Sequence, residues 1–206
     1  MIEAIDISTS RLTASACTQL RDLGVEQVCV GLRYISEANL HVEPYSIENL
    51  HIAASEFEYG CHAYAYYHLG GNVRNRALWS VEVVALEPRC FAMWNDWEDN
   101  GHAAPGIPDP NEFPPERVRD LILEVKDTIG GSVWQMEYTA GWWWPRATGK
   151  WDGLKDCELV DANYARAIGF PLATPYGGWS GCRIHQYAGT TDLAGLSVDR
   201  NLVRLA

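Results

Sequence analysis

No run of about 18 consecutive apolar residues occurs in the 206-residue chain, so no helix in it is expected to span a bilayer. Positive charge is scarce. Sixteen Lys and Arg face 27 Asp and Glu, a formal net of −11, which argues against a protein that tracks phosphates with a basic face and against electrostatic attraction to an anionic membrane or cell wall, so affinity for either has to come from specific contacts. The six cysteines never form a Cys-x-x-Cys pair, and the histidines show no metal-ligand spacing, so no zinc site is expected. Buried free thiols of a reducing cytoplasm are the expectation for these cysteines, with disulfides as the alternative. No Gly-x-Gly-x-x-Gly follows a strand and no Gly-x-Ser-x-Gly elbow appears, which removes the dinucleotide fold and serine-hydrolase chemistry. Repeats and low-complexity tracts are missing. Met1–Asp6 lacks the basic segment and apolar run of a secretory signal, so synthesis in the cytoplasm is expected.

What is present is an ordinary globular composition, 47% hydrophobic and 21% charged, of a length that suits one domain over residues 1–206. Strand-like and helical patterns alternate. Ala4–Ile7 reads as a strand. Ser10 or Thr13 can cap a helix placing Leu12, Ala16, Leu20 and Leu23 on one face, closed by Gly24. Gln27–Leu32 is a second strand, Ser46–Tyr59 a helix and Cys61–Tyr67 a third strand. Ala77, Leu78, Val81, Val84 and Ala85 recur at helical spacing. Phe91–Glu98 is a fourth strand, and the Pro- and Gly-rich 101–115 segment a loop. Pro115 starts a helix with Val118, Leu121, Ile122, Val125 and Ile129 inward, ending at Gly130-Gly131. Val133–Tyr138 is a fifth strand. Leu159–Asn163 and Cys182–Tyr187 follow as strands, with little helical periodicity between them. Alternating strands and helices imply parallel crossovers. Strand–helix units followed by strands alone point to a short α/β barrel that loses its outer helices near the end, with an open doubly wound sheet as the rival.

In a parallel barrel the chemistry stands at the carboxyl ends of the strands. Asp6 ends the first strand, Asp96 and Glu98 end the fourth, and Asp199 returns beside Asp6 if the barrel closes. Asp96 and Glu98, two apart, share a strand face with Cα atoms roughly 6–7 Å apart. Paired acids suit glycosidic cleavage, in which one group protonates the leaving oxygen and another supports the oxocarbenium-like centre. Crowding raises the proton affinity of at least one of them. Nine Trp and ten Tyr offer flat faces for sugar rings. Among the Trp142-Trp143-Trp144 run, Trp142 is the candidate platform, against the alternative that the run caps the core. Tyr64 and Tyr138 are candidates beside the cleft. Gln186 either binds a sugar hydroxyl or satisfies buried backbone groups.

Seven ordered fragments resemble glycoside hydrolase family 25, the muramidases of phage endolysins and bacterial autolysins. Ala4-Ile5-Asp6-Ile7-Ser8 is similar to the family's Gly-Ile-Asp-Val-Ser, and Gly60–Tyr67 to Val-Gly-Ala-Tyr-His-Phe. Asp96-Trp97-Glu98 is similar to Leu-Asp-Val-Glu, and Glu137-Tyr138-Thr139 to Ile-Tyr-Thr. Asp161–Tyr164, His185-Gln186-Tyr187 and Val198–Asn201 resemble Trp-Val-Ala-Asn-Tyr, Trp-Gln-Tyr and Val-Asp-Leu-Asn. The resemblance implies a TIM-like barrel of about eight strands and five helices, (β/α)5(β)3, that hydrolyses the β-1,4 bond between N-acetylmuramic acid and N-acetylglucosamine in peptidoglycan glycan strands. It implies Glu98 as general acid, Asp96 orienting and charge-stabilising the 2-acetamido group where that group is the internal nucleophile, with direct inversion as the alternative, Asp6 and Asp199 lining the cleft, and no metal or organic cofactor. Release to the cell wall, as in phage lysis, follows from it, and with few residues after Asn201 the expectation is either a domain that works alone or one module of a longer lysin. Two departures stand out: Trp97 occupies a small apolar position, and Asn95 precedes the acids. Alternation aims both into the layer under the helices. An inactive sugar-binding or virion-structural barrel, and a glycosidase acting on chitin or N-glycans, are the alternatives.

Overall fold

The computed structural model describes residues 1–33, 43–98 and 113–205. Eight strands close a barrel in the order β1-β10-β9-β6-β5-β4-β3-β2. Five helices link its first six strands: β1 (Ile2–Ile7), α1 (Ala14–Asp22), β2 (Val25–Gly31), α2 (Pro44–Glu56), β3 (Cys61–Tyr66), α3 (Val73–Val84), β4 (Cys90–Asp96), α4 (Pro115–Ile129), β5 (Trp134–Thr139), α5 (Trp144–Thr148) and β6 (Glu158–Ala162). A two-stranded sheet outside the barrel, β7 (Pro171–Tyr176) with β8 (Trp179–Gly181), precedes β9 (Ile184–Leu193) and β10 (Leu196–Val203). β1 to β6 and β9 run parallel to their neighbours, and β10 is antiparallel to both β9 and β1. The (β/α)5(β)3 barrel expected from the sequence is therefore the fold, and the doubly wound alternative is excluded.

Local chemistry explains the elements. The Thr13 hydroxyl accepts from the Ala16 amide and the Asn72 side chain from the Asn75 amide, each satisfying a donor of the first helical turn. In α4 the five residues read as inward are the buried ones, and Gly130 follows at a φ of 57° that suits glycine. Two expected faces shift. Leu23 is exposed, because it already lies at the C-cap of α1, and Leu78 is exposed as well. The buried side of α3 instead carries Arg76, Ala77, Ser80, Val83 and Val84. Arg76 donates to the Tyr66 carbonyl, so a polar residue holds a position that hydrophobic periodicity assigns to its neighbour.

Two elements carried no legible signal. α5 is a single short turn holding Pro145, below the length at which a 3.6-residue period shows. β7 contains Pro175 and buries only Leu172 and Tyr176. The β9–β10 turn, Ala194-Gly195, has both residues at positive φ, the two-residue hairpin conformation more often marked by Asn-Gly.

The apolar interior has two parts. Between sheet and helices lies the larger one, with Ile5, Ile7, Val28, Val30, Met93 and Leu159 meeting α1 to α4. Inside the barrel a smaller cluster stacks Ala4, Cys29, Trp94, Met136, Val160 and Ile184. All six cysteines are free thiols, and five are buried. Most of the expected 101–115 loop, with His41 and His102, lies outside the described residues.

Candidate active site

The parallel strands bring their carboxyl ends to one rim, and the four predicted acids meet there. Asp6, Asp96, Glu98 and Asp199 line a single pocket of about 50 Å³ with Tyr64, Trp94, Tyr138 and Gln186. Each has a local cause. Asp6 and Asp199 are register partners across the β1–β10 seam that closes the barrel. Opposite Asp199 the ladder jumps from Val198–Thr191 to Arg200–Ala188, so two residues, Gly189 and Thr190, face one. That bulge re-aims Asp199, whose Oδ1 accepts from the Thr190 amide, and it holds Thr190 at a φ of 48°. β4 ends at Asp96 rather than Glu98. The chain nevertheless stays extended, because the Trp97 amide donates to the Tyr138 carbonyl at 2.9 Å, so Asp96 and Glu98 still share the mouth-facing side.

The floor under the acids is aromatic. Trp94 lies between Tyr64 and Tyr138, ring centroids 6.4 and 6.3 Å away, and its indole N–H donates to His62 Nδ1 at 3.1 Å. Burial holds the His62 pKa down near 4, so this ring is neutral. Tyr64 reaches the cleft because β2 presents Gly31 beneath it, where a Cβ would fall 2.7 Å from the phenol carbon.

Such a floor excludes water from carboxylates. Burial, then Asp199, pushes Asp6 up to about 7, although Asp6 Oδ2 accepts from Gln186 Nε2 and Asn201 Nδ2 at 2.9 Å each. Asp96 is pushed well above the ordinary carboxylate range by burial, then by the charges of Glu98 and Asp6, and its Oδ1 has no hydrogen-bond partner among the described residues. Burial also raises Asp199, against the lowering effect of the Thr190 amide.

Gln186 is fully buried. Its Oε1 accepts from the Tyr138 and Tyr164 hydroxyls at 2.8 and 2.6 Å while its Nε2 donates to Asp6. Side chains, not backbone groups, use this amide, and they tie β9, β5, β1 and the chain after β6 together. Tyr164 was not among the expected site residues. Its only sequence signal was its place in the Asp161–Tyr164 fragment.

On one side of Glu98 a groove of about 1150 Å³ runs between Trp142, Tyr164 and the β7–β8 sheet. On the other side a cavity of about 380 Å³ lies among Gly31, Tyr64, Tyr66 and Arg76. Among the described residues, Glu98 alone borders both cavities and the acid pocket. The tryptophan run divides: Trp142 is 60% exposed beside the groove, whereas Trp143 and Trp144 are buried and cap the core. Among the described residues no group of three His, Cys, Asp or Glu side chains is arranged to hold a metal ion.

The closed barrel of eight strands with five helices is the fold found in solved structures of glycoside hydrolase family 25. The chain superimposes on a family 25 glycosyl hydrolase from Bacillus anthracis with a TM-score of 0.76 at 13% identity, covering 100% of this chain and 90% of that one. It matches a family GH25 lysozyme from Aspergillus fumigatus at 0.73 and 17% identity, covering 100% and 94%, and a muramidase from Acremonium alcalophilum at 0.72 and 18%, covering 100% and 95%. No family model matches the chain. In sequence it is a homologue of a probable GH family 25 lysozyme from Dictyostelium discoideum, 41% identical over 109 residues, which are 53% of this chain and 48% of that protein. The match thus spans about half of the curated relative. The resemblance to family 25 read from the seven fragments is borne out by this homologue and by the fold.

Proposed function

We propose that this chain is a muramidase that cleaves the β-1,4 bond between N-acetylmuramic acid and N-acetylglucosamine in peptidoglycan. The observation that carries the reading is the position of Glu98, which borders a long aromatic-walled groove, a second cavity and the small pocket it lines with three further carboxyl groups. A glycan strand lying along the groove presents its scissile oxygen at Glu98. The likeness to a probable lysozyme supports the same activity.

In this reading Glu98 gives its proton to the leaving oxygen. Asp96 orients the 2-acetamido group, whose carbonyl oxygen attacks the anomeric carbon as the glycosidic bond breaks. Water then opens the cyclic intermediate, and Glu98 takes back a proton. Four carboxyl groups in one pocket do not all ionise near neutrality. Burial, then the charges of Glu98 and Asp6, pushes Asp96 up, so the crowded acids hold a proton among them. Asp6 and Asp199 hold the ring's charge and the substrate, and Trp142 offers its exposed face to a sugar ring.

The test is turbidity loss of purified cell walls. Glu98→Gln is expected to lower the rate by at least about 10²–10⁴-fold, the usual worth of a general acid, without changing the fold. Asp96→Asn is expected to lower it by orders of magnitude too. Substantial activity in Glu98→Gln overturns the assignment of the acid.

A further inference from the structure

We infer that Glu137, a buried carboxyl on the helix side of the barrel, is the positioning residue that aims the Asp96–Glu98 pair. The inference rests on the reading of the cleft as a glycosidase site.

Residue 97 is the single residue between the two acids, so its direction sets theirs. Trp97 is held in three ways. Its ring is 1% exposed and stacks on Tyr67 with centroids 4.9 Å apart. Its amide donates to the Tyr138 carbonyl at 2.9 Å. Its indole N–H donates to Glu137 Oε2 at 2.8 Å. The second oxygen of the same carboxyl accepts from Asn95 Nδ2 at 3.3 Å. Asn95 and Glu137 are register partners across β4 and β5, and the Asn95 amide also reaches Gln135 Oε1 at 3.2 Å. One carboxyl therefore bonds the residue before Asp96 and the residue after it. The Glu137 side chain is fully buried and borders none of the cleft's three cavities, so it touches no substrate.

The three residues are also the three that depart from the family fragments at the end of β4 and on β5. Asn95 stands for Leu, Trp97 for Val and Glu137 for Ile. In this chain the three bond one another. A buried indole N–H needs an acceptor, and a buried carboxyl needs donors. An apolar triad satisfies the same volume with no polar group to pair, so replacing all the partners is tolerated where removing one is not.

Two readouts test this, one of them independent of turnover. In 1H–15N spectra the Glu98 amide is expected to move in Glu137→Ile and in Trp97→Phe, which keeps the ring and removes the N–H. It is expected to return toward the wild-type position in Asn95→Leu/Trp97→Val/Glu137→Ile. Glu137→Gln, which keeps an acceptor for the indole but turns a donor toward Asn95 Nδ2, is expected to move it less than Glu137→Ile. On cell walls, Glu137→Ile and Trp97→Phe are expected to lower kcat by about tenfold to a hundredfold, the effect of a small misplacement of reacting groups, with KM little changed, and the triple variant to recover it. An unmoved Glu98 amide in both single variants overturns the inference. So does a normal kcat accompanied only by a lower Tm. Wild-type protein that leaves walls intact overturns the muramidase reading instead, and the amide shifts then decide the positioning role alone.

Discussion

Asp6→Asn separates the charge of the acid ring from its geometry. Asp6 Oδ2 accepts both of that side chain's hydrogen bonds, from Gln186 and Asn201. Asparagine can place its one carbonyl oxygen there and keep both, so what the variant loses is a titratable carboxyl. The wild-type carboxyl has its pKa pushed from 3.8 up to about 7, chiefly by burial. Its folded pKa lies above its unfolded one, so between about pH 4 and pH 7 the folded protein retains a proton that the unfolded chain has released. Stability then falls as pH rises through that window, and the penalty is complete above it. A displacement of about 3 pH units at 1.36 kcal/mol each amounts to about 4 kcal/mol. The variant escapes that penalty. Urea unfolding of both proteins at pH 4 to 8 is expected to show similar stabilities at the acid end, with Asp6→Asn the more stable by a few kcal/mol at pH 8. A difference that stays flat with pH, or that favours the wild type increasingly as pH rises, refutes the burial argument. Activity should fall in the variant even where stability rises, because the cleft loses a charge beside Asp199.

Gln186→Leu leaves the buried Tyr138 hydroxyl without its acceptor and Asp6 with one donor. The expected cost is about 1–3 kcal/mol for each orphaned buried group, read by chemical denaturation. Gly31→Ala forces a methyl into the Tyr64 ring 2.7 Å away and is expected to cost about 1–3 kcal/mol and to lower wall cleavage, as calorimetry and turbidity assays would show. Thr190→Gly relieves a β-branched residue at positive φ and is expected to stabilise the fold by about 1 kcal/mol, visible as a higher Tm. Trp142→Ala removes an exposed ring, so stability should move by no more than about 0.5 kcal/mol while KM on walls rises several-fold.

The barrel and its acids were legible because their signals are local and periodic. α4 shows its inward face in Val118, Leu121, Ile122, Val125 and Ile129, and the strand-end acids follow from where each apolar run stops. Alternation alone sent Asn95 and Trp97 behind the sheet, where they are found. What waited for the structure depends on pairing between distant segments. The Gln186 hub joins residues 48 and 180 positions apart. The bulge that turns Asp199 exists only once β9 lies beside β10, and neither Gly189 nor Thr190 announces it. α5 and the β7–β8 sheet were too short to show a period, so the wall they give the groove could not be drawn from spacing.

Mass spectrometry of the fragments that the wild-type chain releases from purified peptidoglycan tests the central claim most directly. The account predicts muropeptides with muramic acid at the reducing end, and none from Glu98→Gln. Reducing-end glucosamine, or intact walls after prolonged incubation with folded wild-type protein, would contradict it.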